Sequence, residues 1–266
     1  RLRLLEELSD HNLSVLGQEV LKADADRWHY AESQHFIGYA CSNMDMDTLM
    51  RQAEFAYREI GQILKFEETM PKMHIFLLEN TKIWNASMKK VGIRPDGLAC
   101  QVERELYLKY DYDQNQRPDR VPHEVVHARM REVHGKAIPL WFDEGLASYY
   151  GWRVAVQYAR RSGTALTRTL PSCSDSKVLR LDRLAAVREY PDEGESARTF
   201  YRQSEELVSA ICEKIGDDRM PDLARALCAE RQEMRSVLKS RFGFSDENLQ
   251  VLERTVKERT TTERTE

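Results

Sequence analysis

Two kinds of hydrophobic spacing alternate along the first half of the chain. In residues 47–65, Leu49, Ala53, Ala56, Tyr57, Ile60 and Leu64 recur at three- and four-residue intervals. That spacing lays one apolar stripe along a helix, and Asp47 is placed to cap it. "KMHIFLLE", after Pro71 and before Asn80, is a compact apolar run and reads as a buried strand. Trp28 to Ala40 is rich in β-formers and predicts a hairpin or two successive strands. Gly97 to Tyr110 reads as one or two more, with Leu106 and Leu108 on one face and Tyr107 and Lys109 on the other. A short helix is expected over Lys82–Lys90, ended by Gly92 and Pro95. The start, with Leu4, Leu5, Leu8, Leu13, Val15 and Leu16, suits either a docking helix or a strand.

Beyond Pro122 the pattern is predominantly helical as far as Lys257. A break over 161–179 holds Gly163, Pro171 and several serines. Residues 258–266 alternate Arg, Thr and Glu with nothing apolar to bury, which predicts a frayed or disordered tail. The expected fold class is therefore α+β. Its parts are an N-terminal segment (1–27) of open structure, a sheet-containing lobe (28–137), a helical lobe (138–257) and the tail.

Composition narrows the partners. The chain has 266 residues, 41% hydrophobic and 32% charged, enough for a real core under a polar surface. Its 40 Lys and Arg against 44 Asp and Glu give a net charge of -4. That balance lacks the basic excess of a nucleic-acid binder, and no apolar run approaches the roughly 20 residues of a membrane-spanning helix. The cysteines, Cys41, Cys100, Cys173, Cys212 and Cys228, show no CxxC or metal-ligand spacing, and their odd number leaves a thiol unpaired. Cys212 and Cys228 lie among apolar helical residues and read as small buried hydrophobes.

The chemistry is concentrated in "VPHEVVHARMREVHGKAIPLWFDEGLASYYGW", Val121 to Trp152. His123-Glu124-Val125-Val126-His127 is an H-E-x-x-H pattern on a predicted helix, with Pro122 in the first turn, where its missing N–H costs nothing. At about 100° per residue His127 lies only some 40° around from His123 and one turn along, so both imidazoles reach one ion. Glu124 sits beside them, placed to deprotonate a metal-activated water. A catalytic zinc needs a third protein ligand, and Glu144 in "WFDEGLASYY" is the best candidate. That segment predicts an apolar helix entered at Pro139 and closed near Gly151, where a lone carboxylate is costly unless neutralised. His134 competes for the role. It follows His127 by seven residues where a histidine-only pattern needs six, Met130 replaces the turning glycine, and a straight helix carries it about 10 Å too far.

"HEVVH" followed by "WFDEGLASYY" resembles the gluzincin (peptidase MA-like) zinc metallopeptidases, and the second motif is similar to the Trp-x-x-Glu-Gly-x-Ala segment of the aminopeptidase N family. The resemblance implies a thermolysin/gluzincin-like fold with the metal site between the lobes, one Zn2+ per chain on His123, His127 and Glu144, and Glu124 as general base. It also implies an oxyanion-stabilising tyrosine on a later helix; "TFYRQSEELV" supplies Tyr201, for which core packing is the other reading. Tyr149, Tyr150, Trp84 and Trp152 read as packing or pocket-wall residues.

Two positions depart from the family. Cys100 in "GLACQVERELY" stands where aminopeptidases carry the glutamate that grips a free amine, which favours endopeptidase action with substrate paired along that strand. Ser148 stands where thermolysin-like enzymes have an aspartate orienting a zinc-bound imidazole, leaving Asp143 or a backbone carbonyl to do so. The expected function is a zinc-dependent hydrolase of peptide or protein substrates. A catalytically weak member of the fold that binds peptides, and a structural module with an accidental motif, are the alternatives. Family habit and a first residue other than Met suggest an extracytoplasmic location.

Overall fold

The computed structural model describes residues 13–23, 28–40, 46–67, 72–78, 81–90, 99–109, 118–135, 137–191 and 194–266. The expectations for Leu4, Leu5, Leu8, Cys41, Pro71, Asn80, Gly92, Pro95 and Gly97 fall outside them.

The fold is α+β, built on a mixed five-stranded sheet. Strands β1 (His29–Glu32) and β2 (Phe36–Ala40) form the expected hairpin. Strand β3 (Met73–Leu78) lies parallel to β2. Strands β4 (Ala99–Val102) and β5 (Glu105–Lys109) form a second hairpin, with β5 parallel to β3. The order β1-β2-β3-β5-β4 leaves β4 at one edge.

Both faces of the sheet are covered, which is why "MHIFLL" shows no alternation: every residue of β3 is buried. Met73, Ile75, Leu77, Leu106 and Leu108 face one core. Helices α2 (Met46–Leu64), α4 (Arg120–His134) and α5 (Leu140–Arg161) pack into that core. Tyr39, Phe76 and Tyr107 face the other way and stack across β2, β3 and β5 at 4.8 and 4.9 Å between ring centres. Helices α1 (Val15–Ala23) and α3 (Thr81–Lys90) cover them. The start of the chain is thus helical where it is described. Trp84 is fully buried on this side.

The first core continues without interruption into the second half of the chain. It takes in α6 (Leu181–Ala185), α7 (Glu195–Ile215), α8 (Met220–Ala224), α9 (Met234–Phe242) and α10 (Asp246–Thr261). No described helix is long and apolar enough to cross a membrane.

Two expectations are corrected. Gly151 does not close its helix: α5 runs on to Arg161, and Gly151 is where α5 meets α4. A Cβ there would lie 3.0 Å from the backbone N and Cα of His123. The residue that reads as a stop signal is a close-packing device. The tail is also ordered. Helix α10 extends to Thr261, Thr260 is fully buried, and β7 (Arg264–Thr265) pairs antiparallel with β6 (Thr169–Leu170). Arg264 reaches Glu206 on α7 at 3.1 Å, and Arg168 reaches Glu266 at 2.9 Å. These long-range ion pairs replace the apolar contacts that the tail lacks.

Candidate metal centre

Helices α4 and α5 are packed neighbours, Gly151 meeting His123 and Asp143 meeting His127, and their contact face carries the site. The H-E-x-x-H residues fall in the first two turns of α4, where His123 N–H donates to Asp119 at 2.8 Å. Asp143 and Glu144 fall at the start of α5, where the exposed N–H groups of a helix favour negative charge. Gly145 then lets α5 press on α7: a Cβ at this position would lie 2.4 Å from the backbone oxygen of Ser204. Gly145 and Gly151, both following Glu144 along α5, let that helix lie close to α7 and to α4.

Among the described residues, His123, His127 and Glu144 are the group able to hold a metal ion. The two Nε2 atoms lie 3.1 Å apart, and Glu144 Oε2 is 3.5 Å from that of His123 and 3.6 Å from that of His127. Asp143 Oδ1 takes the Nδ1–H of His127 at 2.8 Å, which leaves the Nε2 lone pair pointing into the site. The orienting carboxylate is therefore the residue before Glu144, one of the two acceptors left open by Ser148.

Three carboxylates, Glu124, Asp143 and Glu144, are buried to 5% exposure or less around these imidazoles. The nearby guanidinium is that of Arg131, 3.5 Å from Asp143 Oδ2. Such a density of buried negative charge calls for a cation. Burial pushes the Glu124 carboxyl above its ordinary range, against the pull of the two imidazoles. Burial acts the same way on Glu144 but is outweighed by His127 and His123, so its carboxyl is held low. Burial opposes charge on His127, and the carboxylates of Asp143 and Glu144 overcome it and raise its affinity for a proton. The site favours ionised Glu144 and a positive charge beside it.

The structure adds a residue that the sequence did not mark. Tyr190 donates from its hydroxyl to Glu144 Oε1 at 2.6 Å, holding the oxygen that faces away from the histidines. Tyr190 as a whole is 46% exposed, yet burial around its hydroxyl together with Glu144 keeps that hydroxyl protonated. Tyr201 stacks on Tyr190 at 6.2 Å and is 39% exposed, one ring removed from the donor group. Tyr190 lies in "AAVREYPDEGES", a stretch with no periodicity, and sequence offered no signal for it.

The remaining candidates lie elsewhere. His134 ends α4 against Phe66, outside the donor group. Tyr150 is fully buried and donates to Asp217 at 2.9 Å, and Trp152 is buried under the guanidinium of Arg168. Cys100, Cys173, Cys212 and Cys228 are buried free thiols. The Cys100 thiol is pushed up by burial and by the charge of Glu124, and β4, which carries it, packs against α4. A cleft of about 1290 Å³ adjoins the centre, with Gln101, Arg131, Asp143 and Tyr190 in its wall.

No protein-family model matches the chain, and no curated protein matches it significantly, so the reading of this centre rests on its geometry and its two motifs.

Proposed function

We propose that the protein is a zinc-dependent metallopeptidase of gluzincin type, acting on peptide bonds within a chain. The observation that carries this is the donor triangle. Two ligands about 2.0–2.1 Å from one tetrahedral ion are roughly 3.3–3.4 Å apart. The three separations here, 3.1, 3.5 and 3.6 Å, bracket that value. Two imidazoles and a carboxylate are also the donor set of a catalytic zinc with one open position.

His123, His127 and Glu144 are the residues to hold the metal, with Asp143 and Tyr190 fixing two of them from behind. When bound, zinc supplies a Lewis acid that acidifies water and polarises a carbonyl. Glu124 takes the proton from the attacking water and delivers it to the leaving amine. The edge strand β4 offers an extended peptide a pairing surface beside the site, and its Cys100 provides no grip for a free amine.

The test is metal analysis of purified wild type, His123→Ala and Glu124→Gln. Stoichiometric zinc in wild type, its loss in His123→Ala, and retained zinc without hydrolysis in Glu124→Gln are expected. Wild type without zinc refutes the reading. Zinc together with peptide binding but no turnover in wild type indicates a non-catalytic binder. Cleavage of a free-amine peptide but not its blocked counterpart removes the endopeptidase assignment.

A further inference from the structure

The turn between β4 and β5 is two residues long, Glu103–Arg104, and Glu103 adopts a positive φ of 53°. In such a hairpin Val102 and Glu105 close the ladder. The alternation of an antiparallel pair then directs the N–H and C=O of Ala99 and Gln101 away from β5, toward the edge that no described strand pairs. An extended substrate can pair at those two residues. One of the two is already engaged. Arg131 Nη1, from α4, donates to the backbone oxygen of Gln101 at 3.2 Å and also to the Gln101 side-chain oxygen. The other arm of the same guanidinium, Nη2, faces Asp143 Oδ2 at 3.5 Å, and Asp143 Oδ1 holds His127.

We propose, building on the peptidase reading, that Arg131 is a positioning residue and a terminator of substrate pairing. It ties the register of β4 to the carboxylate that orients His127. It also closes the edge at Gln101, so that the substrate backbone pairs at Ala99 and then turns into the cleft that Gln101, Arg131 and Asp143 line. The task needs a planar fork with donors on two arms. A lysine ammonium carries the charge but not that geometry.

Three measurements on the full chain test this. Zinc affinity by chelator competition and the visible spectrum of the cobalt-substituted protein report on His127 without turnover. Arg131→Met is expected to bind zinc about 10-fold more weakly, with a shifted cobalt spectrum. Its kcat on a blocked peptide should drop at least as far. Arg131→Lys should recover most of the zinc affinity, through its charge near Asp143, but not kcat. In wild type, a zinc-binding hydroxamate peptide should protect the Ala99 amide from hydrogen exchange and leave that of Gln101 unchanged.

Both variants within two-fold of a zinc-loaded, active wild type overturn the proposal and leave the peptidase reading standing. Should Arg131→Met not fold, Arg131→Lys decides, and a wild-type kcat in it overturns the positioning role. Equal protection of Ala99 and Gln101 overturns the closed edge. A wild type that holds no zinc instead refutes the peptidase reading itself.

Discussion

Gly145→Ala isolates the packing that places Glu144. The added methyl would lie 2.4 Å from Ser204 O and 2.6 Å from Val208 Cγ2, where ordinary contact begins at 3.4 Å. The first of these is backbone of α7 and cannot rotate away, so α5 and α7 must separate by close to an ångström. Overpacking costs about 1–3 kcal/mol, and a clash with backbone that cannot yield belongs in the upper part of that range, about 2–3 kcal/mol. Alanine recovers up to about 1 kcal/mol of helix propensity over glycine, which leaves a net loss of about 1–2 kcal/mol. For a domain of this size each kcal/mol moves Tm by about 2–4 °C. The expected fall is therefore about 2–8 °C, read by calorimetry with and without zinc. Gly61→Ala is the control: it lies within α2, and its Cβ would meet nothing closer than 3.7 Å. Propensity alone then operates, and stability should rise by about 0.5–1 kcal/mol. A Gly145→Ala protein as stable as wild type, with unaltered zinc affinity, refutes the claim that this contact sets the depth of Glu144.

The remaining predictions concern the centre and one ion pair. Asp143→Asn removes the charge behind His127 and should weaken zinc binding about 10- to 100-fold in chelator competition, with the fold intact by circular dichroism. Tyr190→Phe removes the donor on Glu144 Oε1 and should weaken zinc binding several-fold, whereas Tyr201→Phe should leave it unchanged; the reverse ranking makes Tyr201 the functional tyrosine. The bidentate Arg153 guanidinium, at 2.7 and 2.8 Å, holds the Asp217 carboxyl down at about 2. A depressed folded-state pKa contributes stability above the unfolded value near 4, and that contribution disappears as pH falls through about 2. Because Asp217 is 42% exposed, the loss in Asp217→Asn at pH 7 is discounted to about 1 kcal/mol. It should shrink toward zero in urea titrations between pH 4 and pH 2.

Local signals carried much of the fold. The periodicity of α2, the hairpin of β1 and β2 and the doubly buried β3 were all legible, because each depends on residues close together in sequence. The two histidines were legible for a similar reason, since a four-residue helical spacing is geometry written into sequence, while Glu144 was read from a carboxylate in an otherwise apolar helix and from the second motif. Three features were not. Gly151 reads equally as a helix stop or a contact point, and only the position of α4 decides. The tail is held by Arg264 on Glu206 and Arg168 on Glu266, partners 58 and 98 residues apart. Tyr190 reaches Glu144 from a segment without pattern, so its role exists only once α5 and the chain before α7 are folded together.

In the proposed metallopeptidase reading, the Asp143–Glu144 pair does the work that the resembled family gives to an aspartate four residues beyond the ligand glutamate. An imidazole offers two nitrogens that point in diverging directions, and a metal ligand needs one occupied by the ion and the other by a hydrogen-bond acceptor. A helix places an acceptor four residues beyond the ligand glutamate on the same face, and here that position is Ser148, a neutral hydroxyl. Consecutive residues solve the same problem from different faces. Asp143 meets Nδ1 of His127 at 2.8 Å while Glu144 approaches Nε2 at 3.6 Å, so two adjacent carboxylates clamp one ring from both sides. The arrangement buries two negative charges one residue apart, which is stable only with compensating charge on each. Arg131 supplies it for Asp143; the imidazoles of His127 and His123 supply it for Glu144, and in the metallopeptidase reading the ion takes over that part. An aspartate at the half-buried position 148 should therefore not rescue Asp143→Asn: the contacts to His127 Nδ1 and to Arg131 both belong to the side chain at 143. Recovery of zinc affinity in the Asp143→Asn, Ser148→Asp double variant would show that the charge balance around Asp143 is incidental.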